Sequence, residues 1–457
     1  MPSDITGSVS HTLAGKTIVV AVTGSIAAVR AVDLIRDLIR RGAAVHCVMS
    51  HAAEQIVHPY ALEYASSNPV IREITGKVEH VQFCGVGGAA DLLLVAPATA
   101  NTIGKMACGI DDTAVTTFAT TALGSGKSVA VVPAMHEAMY RHPAVLKNLE
   151  RLKKMGVLLI DPRLEEGKAK IRDNAAIVWE VERLLGPGDL AGKRIVITSG
   201  SNAEAIDPIR ILTNRASGKT GTALALEVRR RGAEVVLVHR FIQEIPVRQV
   251  YAESAGEMLD AVLAEVEKGC HALISAAAVA DNSRLLRKWR AQAVAVIAEQ
   301  LDTDDAVQLI EDLDEADQRA VMAELERGCH ALISAAAVAD YTLDRQAEKI
   351  KSGQDLTLHL TPTPKIIKKV REAYPDLKIV GFKAETDLDD EELIRRAKES
   401  MQNADLDLVV ANDVSRGGMG TDDNRVIIID RQGRRTEAAG KKSLIAKAII
   451  DALVEAL

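Results

Sequence analysis

The first half of the chain alternates continuous apolar runs with segments of helical periodicity. Residues 16–22 (KTIVVAV) form one apolar run, residues 26–41 have helical spacing, and residues 43–49 form the next run. Similar runs occupy residues 91–96 and 127–132. Runs that stay apolar, rather than alternating, are typical of strands buried on both faces. This rhythm predicts βαβ units and a parallel sheet with helices on both sides.

The same rhythm starts again after a Gly-Pro-Gly linker at residues 186–188, with an apolar run at 193–198 and a helical pattern at 219–231. A chain of 457 residues is also too long for one ordinary core. We therefore predict an α/β protein of two doubly wound, Rossmann-like domains with parallel sheets. The predicted domains are residues 1–185 and residues 186–457.

The second predicted domain contains a near-repeat. Residues 267–281 (EKGCHALISAAAVAD) and 326–340 (ERGCHALISAAAVAD) differ at one position, and the stretch at about 282–325 is acidic and helix-rich. We interpret this as a segmental duplication, or an insertion with a duplicated junction, that carries a helical insertion. The alternative is two equivalent strands. We expect the second copy to take the sheet position, because E-K-I-K comes after it within a few residues.

Composition and charge exclude several classes of protein. The chain has 56 Lys and Arg against 63 Asp and Glu, a net charge of −7, and only 3% aromatic residues, which argues against nucleic-acid binding. No apolar run reaches the roughly 18 residues of a membrane span, and the N-terminus lacks a signal-peptide pattern. The five cysteines contain no C-x-x-C pair, so we expect a reduced, cytoplasmic protein without membrane partners.

Small and polar loops come after several predicted strands. They include TGSIAA at 23–28, Ser50, APATAN at 96–101 and PAMHEAMY at 133–140. Open parallel sheets bind ligands at the carboxyl ends of their strands, so these loops predict one ligand site. In the second half, SGKTG at 217–221 opens a helix and could hold a phosphate, although it lacks the Walker A spacing.

The loops of the first half, together with GIDDT at 109–113, resemble the flavin-containing cysteine decarboxylases. That resemblance implies a non-covalent FMN shared between the subunits of a trimer. It also implies that His80 is the catalytic base and that His136, where the family usually has Asn, binds the substrate carboxylate. The residues expected near the flavin are Gly24, Ser25, Ser50, Ala98, Thr99 and Asn101.

The chemistry implied by this family requires an electron sink. Oxidation of the substrate thiol to a thioaldehyde creates one, so that CO2 can leave, and an imidazole can move the proton. Family members that complete the reduction carry a cysteine on a C-terminal flap. Residues 162–171 (PRLEEGKAKI) contain none, and Lys168 or Lys170 are the candidates in its place.

The second half resembles the phosphopantothenate–cysteine ligases in DPIRILTNRASGKTG at 207–221, AAVADY at 336–341, EKIK at 348–351, GFKAET at 381–386 and ANDV at 411–414. The order of the two halves resembles the bifunctional coenzyme A biosynthesis family, in particular its archaeal members. This implies that CTP activates 4′-phosphopantothenate as an acyl-cytidylate, which the amine of cysteine attacks. It also implies Mg²⁺, without indicating its ligands.

By the same resemblance, Asn214 holds the acyl-cytidylate and Lys349 neutralises the nucleotide phosphates. The family also implies a homo-oligomer in which trimers and dimers combine to a dodecamer. The other expected substrate-binding residues are Ser217, Gly218, Lys219, Ser334, Ala335, Ala336, Asp340, Pro364, Lys365, Ile366, Ile367, Phe382 and Lys398.

Two alternatives remain at this point. One is a flavin prenyltransferase-like enzyme, which the His80 loop and the ligase-like half do not favour. The other is a non-catalytic regulatory subunit that binds a phosphatase. Such subunits depend on acidic tails, whereas this chain ends in a predicted helix at 443–457.

Overall fold

The computed structural model describes residues 4–165, 168–268, 272–275, 331–337, 341–343, 345, 349, 358–363, 365–416 and 421–457. The predicted helical insertion at 282–325 lies outside these residues. The chain divides into two compact units, residues 1–187 and 188–457. Each unit is built around its own sheet.

The first unit contains a parallel sheet with strand order β3–β2–β1–β4–β5–β7. The same unit also contains a small antiparallel sheet with strand order β6–β9–β8. The strands are β1 (Thr17–Val22), β2 (Ala44–Met49), β3 (Val70–Ile71), β4 (Leu92–Ala98), β5 (Ser128–Pro133), β6 (Met135–His136), β7 (Leu158–Leu159), β8 (Arg163–Glu165) and β9 (Lys168–Lys170).

Helices cover both faces of this sheet. Alternate residues of β1 enter different cores: Val20 packs with Leu34 and Leu38 of one helix, whereas Val19 packs with Phe118 of another. The prediction of buried parallel strands is therefore confirmed. The helices are α1 (Ala31–Ile39), α2 (His51–Glu54), α3 (Pro59–Ser66), α4 (Glu79–Cys84), α5 (Ala100–Cys108), α6 (Ala114–Gly124), α7 (Glu137–Tyr140), α8 (Pro143–Lys154) and α9 (Asn174–Leu184), with a 3₁₀ turn at Ile26–Arg30 before α1.

The second unit contains a sheet of order β14–β13–β10–β15–β16–β19–β20–β21–β22. Two further pairs, β11–β12 and β17–β18, form separate antiparallel hairpin sheets. The strands of the unit are β10 (Arg194–Ser201), β11 (Ala203–Ala205), β12 (Ile211–Thr213), β13 (Glu234–His239), β14 (Arg248–Tyr251), β15 (Ala272–Ser275), β16 (Ala331–Ala337), β17 (Tyr341–Thr342), β18 (Thr361–Pro362), β19 (Lys378–Glu385), β20 (Leu408–Asp413), β21 (Asp423–Asp430) and β22 (Arg435–Lys441). The helices are α10 (Lys219–Arg230), α11 (Ala255–Glu267), α12 (Ile366–Ala373), α13 (Asp390–Ala404) and α14 (Lys442–Ala456).

The C-terminal edge of this sheet differs from the prediction of parallel strands. β20 pairs antiparallel with β21, and β21 pairs antiparallel with β22. The turn between β21 and β22 is too short for the crossover that a parallel pair requires, so the two strands form a hairpin. The rest of the sheet, from β14 to β20, is parallel as predicted.

The two sequence copies share one position in the sheet. Val380 of β19 pairs with Ile274 of β15 and also with Ile333 of β16, and both strands pair with β10 in the same register. Neighbouring strands lie about 4.8 Å apart, so one position takes one strand at a time. β15 and β16 also pair with each other, at Ser275 and Ser334. Because their registers on β10 and β19 coincide, we interpret the copies as alternatives for the slot between β10 and β19. β16 makes the longer pairing with β10, from Ile333 to Ala337.

Among the described residues, no helix combines the length and the apolar character that a membrane crossing requires.

Candidate active sites

In the first unit, three loops meet at the carboxyl ends of the adjacent strands β2, β1 and β4. Gly24 comes after β1 and lies so close to α2 that a Cβ atom there would be 2.5 Å from Cβ of Ala52. Ser25 accepts a hydrogen bond from the N–H of Ala27, at 3.4 Å, and Ser50 accepts one from the N–H of Ala53, at 3.3 Å. A side chain at position 24 would push these two loops apart.

Thr23 joins the β1 loop to the β4 loop. Its hydroxyl donates to the carbonyl oxygen of Pro97, at 2.7 Å, and accepts from the N–H of Thr99, at 3.1 Å. The Thr99 hydroxyl in turn accepts from the N–H of Thr102, at 3.3 Å, and caps α5. Ala98 is buried and Asn101 is exposed in the first turn of α5. The residues expected near the flavin thus lie in three connected loops.

A cavity of about 460 Å³ opens beside Ser50. It also contains Arg72, which forms an ion pair with Glu54 at 2.5 Å, and Asp111 to Thr113 of the GIDDT motif. That motif carried the family resemblance, but the sequence did not assign it a role. The lining residues are Met49, Ser50, His51, Glu54, Arg72, Glu73, Ile74, Asp111, Asp112, Thr113, Ala114 and Thr117.

His80 lies in the first turn of α4. Its Nδ1 atom is buried and has no hydrogen-bond partner among the described residues. The turn before it is held by Glu79, whose carboxylate accepts from the N–H of Thr75, at 2.9 Å. A buried polar atom without a partner costs free energy, so it is the kind of group that a bound substrate completes. This orphaned atom and the glycine-lined loops fit a flavin-dependent site.

The PAMH motif and the flap candidate residues belong to one small sheet. His136 ends β6, and its backbone pairs with that of Lys168 in β9. The Nδ1 atom of His136 accepts from the N–H of Ala138, at 3.3 Å, and the residue is exposed. Cys47 and Cys84 do not replace the flap cysteine of the related decarboxylases, because neither is on this hairpin and burial raises the pKa of both thiols to about 12.

Lys168 remains a candidate for that role, because its backbone pairs with that of His136.

In the second unit, a tight turn precedes the predicted phosphate loop. The Asp207 carboxylate accepts from the N–H groups of Ile209 and Arg210, at 2.8 Å each, and this turn connects β11 to β12 in their hairpin. Asn214 comes directly after β12, and its side-chain oxygen accepts from the N–H of Ala216, at 3.0 Å. The DPIR part of the motif therefore positions the Asn214 segment in front of α10.

The SGKTG loop packs against the end of β10. Gly218 has φ +75°, in the left-handed region that favours glycine, and its carbonyl accepts from the Ser199 hydroxyl, at 3.0 Å. At Gly221 a Cβ atom would lie 2.3 Å from Oγ of Ser199. The loop therefore requires both glycines. Lys219 opens α10 and forms an ion pair with Asp422, at 2.6 Å.

A cavity of about 720 Å³ in the second unit is lined in part by cations that the sequence did not single out. Three residues that the family resemblance implies for substrate binding, Lys365, Ile367 and Phe382, are among its lining residues. Ile366 is instead fully buried in the core. The lining residues are Lys365, Ile367, Lys368, Gly381, Phe382, Lys383, Glu385, Arg395, Arg396, Glu399, Ser400, Asn403, Ala404 and Leu406.

Lys398 does not belong to that lining, whereas Arg396, two residues earlier on α13, does. A spacing of two residues places side chains on different faces of a helix. Lys368 could have been found from the sequence, because it lies one helical turn after Lys365. Lys383 also lines the cavity and belongs to the GFKAET motif, but the motif did not indicate a function for it.

The structure describes only some of the remaining residues that the family resemblance implies for substrate binding. The backbone of β16 sets Ser334, Ala335 and Ala336 opposite Thr198 to Gly200 of β10, the strand whose end packs against the phosphate loop. Lys349 is exposed. Asp340 and Pro364 lie outside the described residues. Among the described residues, no group of three His, Cys, Asp or Glu side chains could hold a metal ion.

Comparisons with known proteins match both units. The Flavoprotein family matches residues 6–186, and the DNA/pantothenate metabolism flavoprotein C-terminal domain matches residues 190–295 and 285–457. The coenzyme A biosynthesis bifunctional protein CoaBC of Thermococcus kodakarensis is 44% identical over 92% of this chain and 91% of its own. That of Methanocaldococcus jannaschii is 33% identical over 97% of this chain and 95% of its own.

A solved structure, the C-terminal domain of a coenzyme A biosynthesis bifunctional protein CoaBC, is 24% identical with a TM-score of 0.37. It covers 59% of this chain and 97% of that chain.

Proposed function

Because the chain belongs to the family of coenzyme A biosynthesis bifunctional proteins, we propose that it makes 4′-phosphopantetheine in two steps. The second unit joins 4′-phosphopantothenate to cysteine with CTP, through an acyl-cytidylate. The first unit then decarboxylates 4′-phosphopantothenoylcysteine with FMN. The observation that carries this proposal is the buried Nδ1 of His80, which lacks a hydrogen-bond partner within the described part of the chain, in a unit that also contains the Gly24 loop.

In the first unit, Gly24, Ser25, Ser50 and Ala98 to Asn101 would hold the FMN, since these loops converge at one edge of the sheet. When bound, the flavin would supply hydride chemistry in both directions: it would take a hydride from the substrate, which provides the electron sink for loss of CO2, and return it to reduce the resulting ene-thiol to the product. His80 would take up the thiol proton through its ring nitrogen. His136 would donate an N–H to the substrate carboxylate, and Lys168 on the opposite strand would provide a proton.

In the second unit, the phosphates would lie between the SGKTG loop and the cations of the larger cavity. Lys365, Lys368, Lys383 and Arg396 bring positive charge to one cavity, which suits a nucleoside triphosphate. Asn214 would hold the acyl-cytidylate and Lys349 would neutralise its phosphate. We propose that Mg²⁺ arrives with CTP, because triphosphate charge favours a divalent cation with few protein ligands.

An oligomer is part of the proposal. Ile26 is 78% exposed and Val29 is 53% exposed, directly after the Gly24–Ser25 loop. Apolar side chains at the mouth of a ligand site suit contact with a second subunit, as in a trimer that shares its FMN. Ligase dimers would then join the trimers. A flavin prenyltransferase or a regulatory subunit would not account for the match of the ligase family to residues 190–457.

The test is a coupled assay on the intact protein that measures CO2 and pyrophosphate separately. Purified protein should be yellow and release a flavin on denaturation. We expect His80→Ala to keep the flavin and the release of pyrophosphate, but to lower CO2 release by about 10²–10⁴-fold. Lys349→Ala should lower pyrophosphate release, whereas its CO2 release should be unchanged when 4′-phosphopantothenoylcysteine is supplied directly.

His58→Ala is a matched control. His58 also lies at the start of a helix, but its Nδ1 atom accepts the N–H of Tyr60, at 3.3 Å, and the residue is exposed. It should retain both activities. A colourless protein that does not take up added FMN would contradict the first half of the proposal.

A further inference from the structure

A third cavity, of about 430 Å³, lies between the start of α10 and the start of α14. It contains the phosphate loop residues Ser217 and Lys219, and also a lysine from a distant part of the sequence, Lys442. The lining residues are Ser217, Lys219, Thr222, Ala223, Leu226, Gln243, Asp422 and Lys442.

Lys442 is unusual because it is a buried lysine at the wall of a cavity. It is only 7% exposed and is the first residue of α14. Its Nζ atom donates to the carbonyl oxygen of Thr421, and its own N–H donates to the carbonyl oxygen of Asp422, at 3.1 Å. The segment before β21 therefore holds both the backbone and the ammonium group of Lys442 in place.

Burial and a second positive charge both act on the ammonium group of Lys442. Burial lowers the pKa of Lys442, the positive charge of Lys219 lowers it further, and Asp422 opposes both effects. Two lysines at one cavity face one carboxylate among the lining residues. Like charges that share a cavity are stabilised by an anion between them.

The carboxylate that is present is easily displaced. Asp422 is the partner of Lys219 at 2.6 Å, yet its side chain is 83% exposed, and that of Lys219 is 46% exposed. An ion pair this open to water contributes little, because water and salt screen it. A ligand with two negative charges would replace it at small cost.

The neutral groups of the cavity suit a phosphate. Ser217 provides a hydroxyl group at its wall, and α10, a helix of 12 residues, begins at Lys219. The N–H groups and the dipole of a helix start favour phosphate oxygens. Gly218 lets the backbone approach a ligand without a side chain in the way.

From these contacts we propose that Lys219 and Lys442 form one anion site for a phosphate or diphosphate group, and that Asp422 is the counterion that the ligand displaces. The proposal rests on the proposed ligase function only in assigning the anion to a ligase substrate. The group is either part of the CTP triphosphate or the phosphate of 4′-phosphopantothenate, since both present the same chemistry.

The test is calorimetric titration of the full-length protein with inorganic pyrophosphate. Lys442→Met should weaken binding at least tenfold, which is the range for loss of a charged hydrogen bond. Asp422→Asn should strengthen it about two- to fivefold, because the competing ion pair is removed. Lys441→Met removes the neighbouring, exposed lysine with the same change of net charge and should leave binding unchanged.

Lys442→Arg separates charge from structure, because it keeps the cation and should bind within a few fold of the natural protein. Equal binding by Lys442→Met and the natural protein, or weaker binding by Asp422→Asn, would overturn the proposal. Competition by CTP and by 4′-phosphopantothenate identifies the source: the one whose affinity falls in Lys442→Met carries the group.

If Lys442→Met weakens pyrophosphate but neither natural ligand, the assignment to a substrate is wrong. The release of pyrophosphate from CTP, measured on the natural protein, tests the ligase function separately. If the natural protein releases no pyrophosphate from CTP but Lys442→Met still weakens pyrophosphate binding, the anion site stands and the proposed ligase function is wrong.

Discussion

At the scale of single residues, the positions of charges matter more than their number. The sequence contains 56 lysines and arginines, and ion pairs at exposed positions, such as that of Arg395 with Glu399, contribute little energy. Arg396, on α13, differs because it lines the larger cavity while it pairs with Glu385, at 3.0 Å, and with Glu392, at 2.8 Å. These carboxylates orient its guanidinium group beside the cavity.

Substitution of Arg396 and of Lys398 should therefore have unequal effects. We expect Arg396→Gln to raise the KM for CTP about tenfold or more, because a cation at the cavity is lost. Lys398→Gln should raise it less, since Lys398 does not line the cavity. Steady-state kinetics with varied CTP measures both. A larger effect at Lys398 would favour the residue expected from the family resemblance.

At the scale of elements, the approach of α10 to β10 positions the phosphate loop. Gly221 permits this approach, because its missing side chain leaves room for Ser199. In α11, Gly256 has a similar place in the first turn, but there the nearest atom to a Cβ would be 3.9 Å away. The two glycines therefore form a natural comparison between close packing and open space.

Gly221→Ala should lower the free energy of unfolding of the second unit by about 1–3 kcal/mol, as overpacking does. Gly256→Ala should raise it by about 0.4–1 kcal/mol, because alanine restricts the unfolded chain. Scanning calorimetry of both variants measures the difference. Equal effects of the two changes would show that contact with Ser199 does not limit position 221.

The junction of α10 and α14 depends on a buried arginine. Arg231 is 3% exposed and bonds to Glu227, at 2.9 Å, to Asp189, at 3.1 Å, and to Asp451. Burial alone would raise the pKa of Glu227 and of Asp451, but hydrogen bonds and nearby positive charges outweigh it, so both pKa values lie below their usual range. These carboxylates therefore stabilise the fold when they are ionised.

This arrangement predicts a dependence on pH. A carboxylate with a lowered folded pKa contributes stability above its unfolded pKa and loses it as the pH falls through the folded pKa. Arg231→Met should thus destabilise the second unit by roughly 3–5 kcal/mol at pH 7, and the difference should shrink below about pH 4. Unfolding curves from pH 7 to pH 2 measure it. A constant difference would contradict the role of the ionised pair.

At the scale of the whole molecule, the duplicated segment is the main departure from a simple pair of α/β units. The slot between β10 and β19 takes one strand, while the chain contains two copies of it in the same register. The copies differ in their distance along the chain from the E-K-I-K lysine. Asp340 lies 9 residues before Lys349 (349 − 340), and Asp281 lies 68 residues before it (349 − 281).

Point substitutions can separate the two copies. We expect Ile274→Asp and Ile333→Asp to fold when made singly, because the other copy takes the slot, and the double variant to lose the unfolding transition of the second unit. Pyrophosphate release should persist in Ile274→Asp and fall in Ile333→Asp, since only the second copy places Lys349 on a short tether. A double variant that unfolds like the natural protein would contradict the idea that the two copies compete for this position in the sheet.

Two deletions serve as controls. Removal of residues 267–325 or of residues 282–340 leaves one copy in each case, and the products differ only by Arg or Lys at one position. Both should fold and show ligase activity. An insoluble or inactive product would show that the segment between the copies is required.

The sequence by itself determined the elements and most of the motifs. Buried strands such as β1 and β4 are continuous apolar runs, and glycine-rich turns mark the loops, because burial and backbone freedom depend on local residue type. The antiparallel β21–β22 edge, the choice of Arg396 over Lys398 at the cavity and the burial of Lys442 required the tertiary structure. Lys442 comes directly after another lysine, as in an exposed charged pair, and only the packing of α14 against α10 brings it to Lys219. Which charges share a low-dielectric cavity depends on contacts between residues far apart in the chain, and local sequence does not encode those contacts.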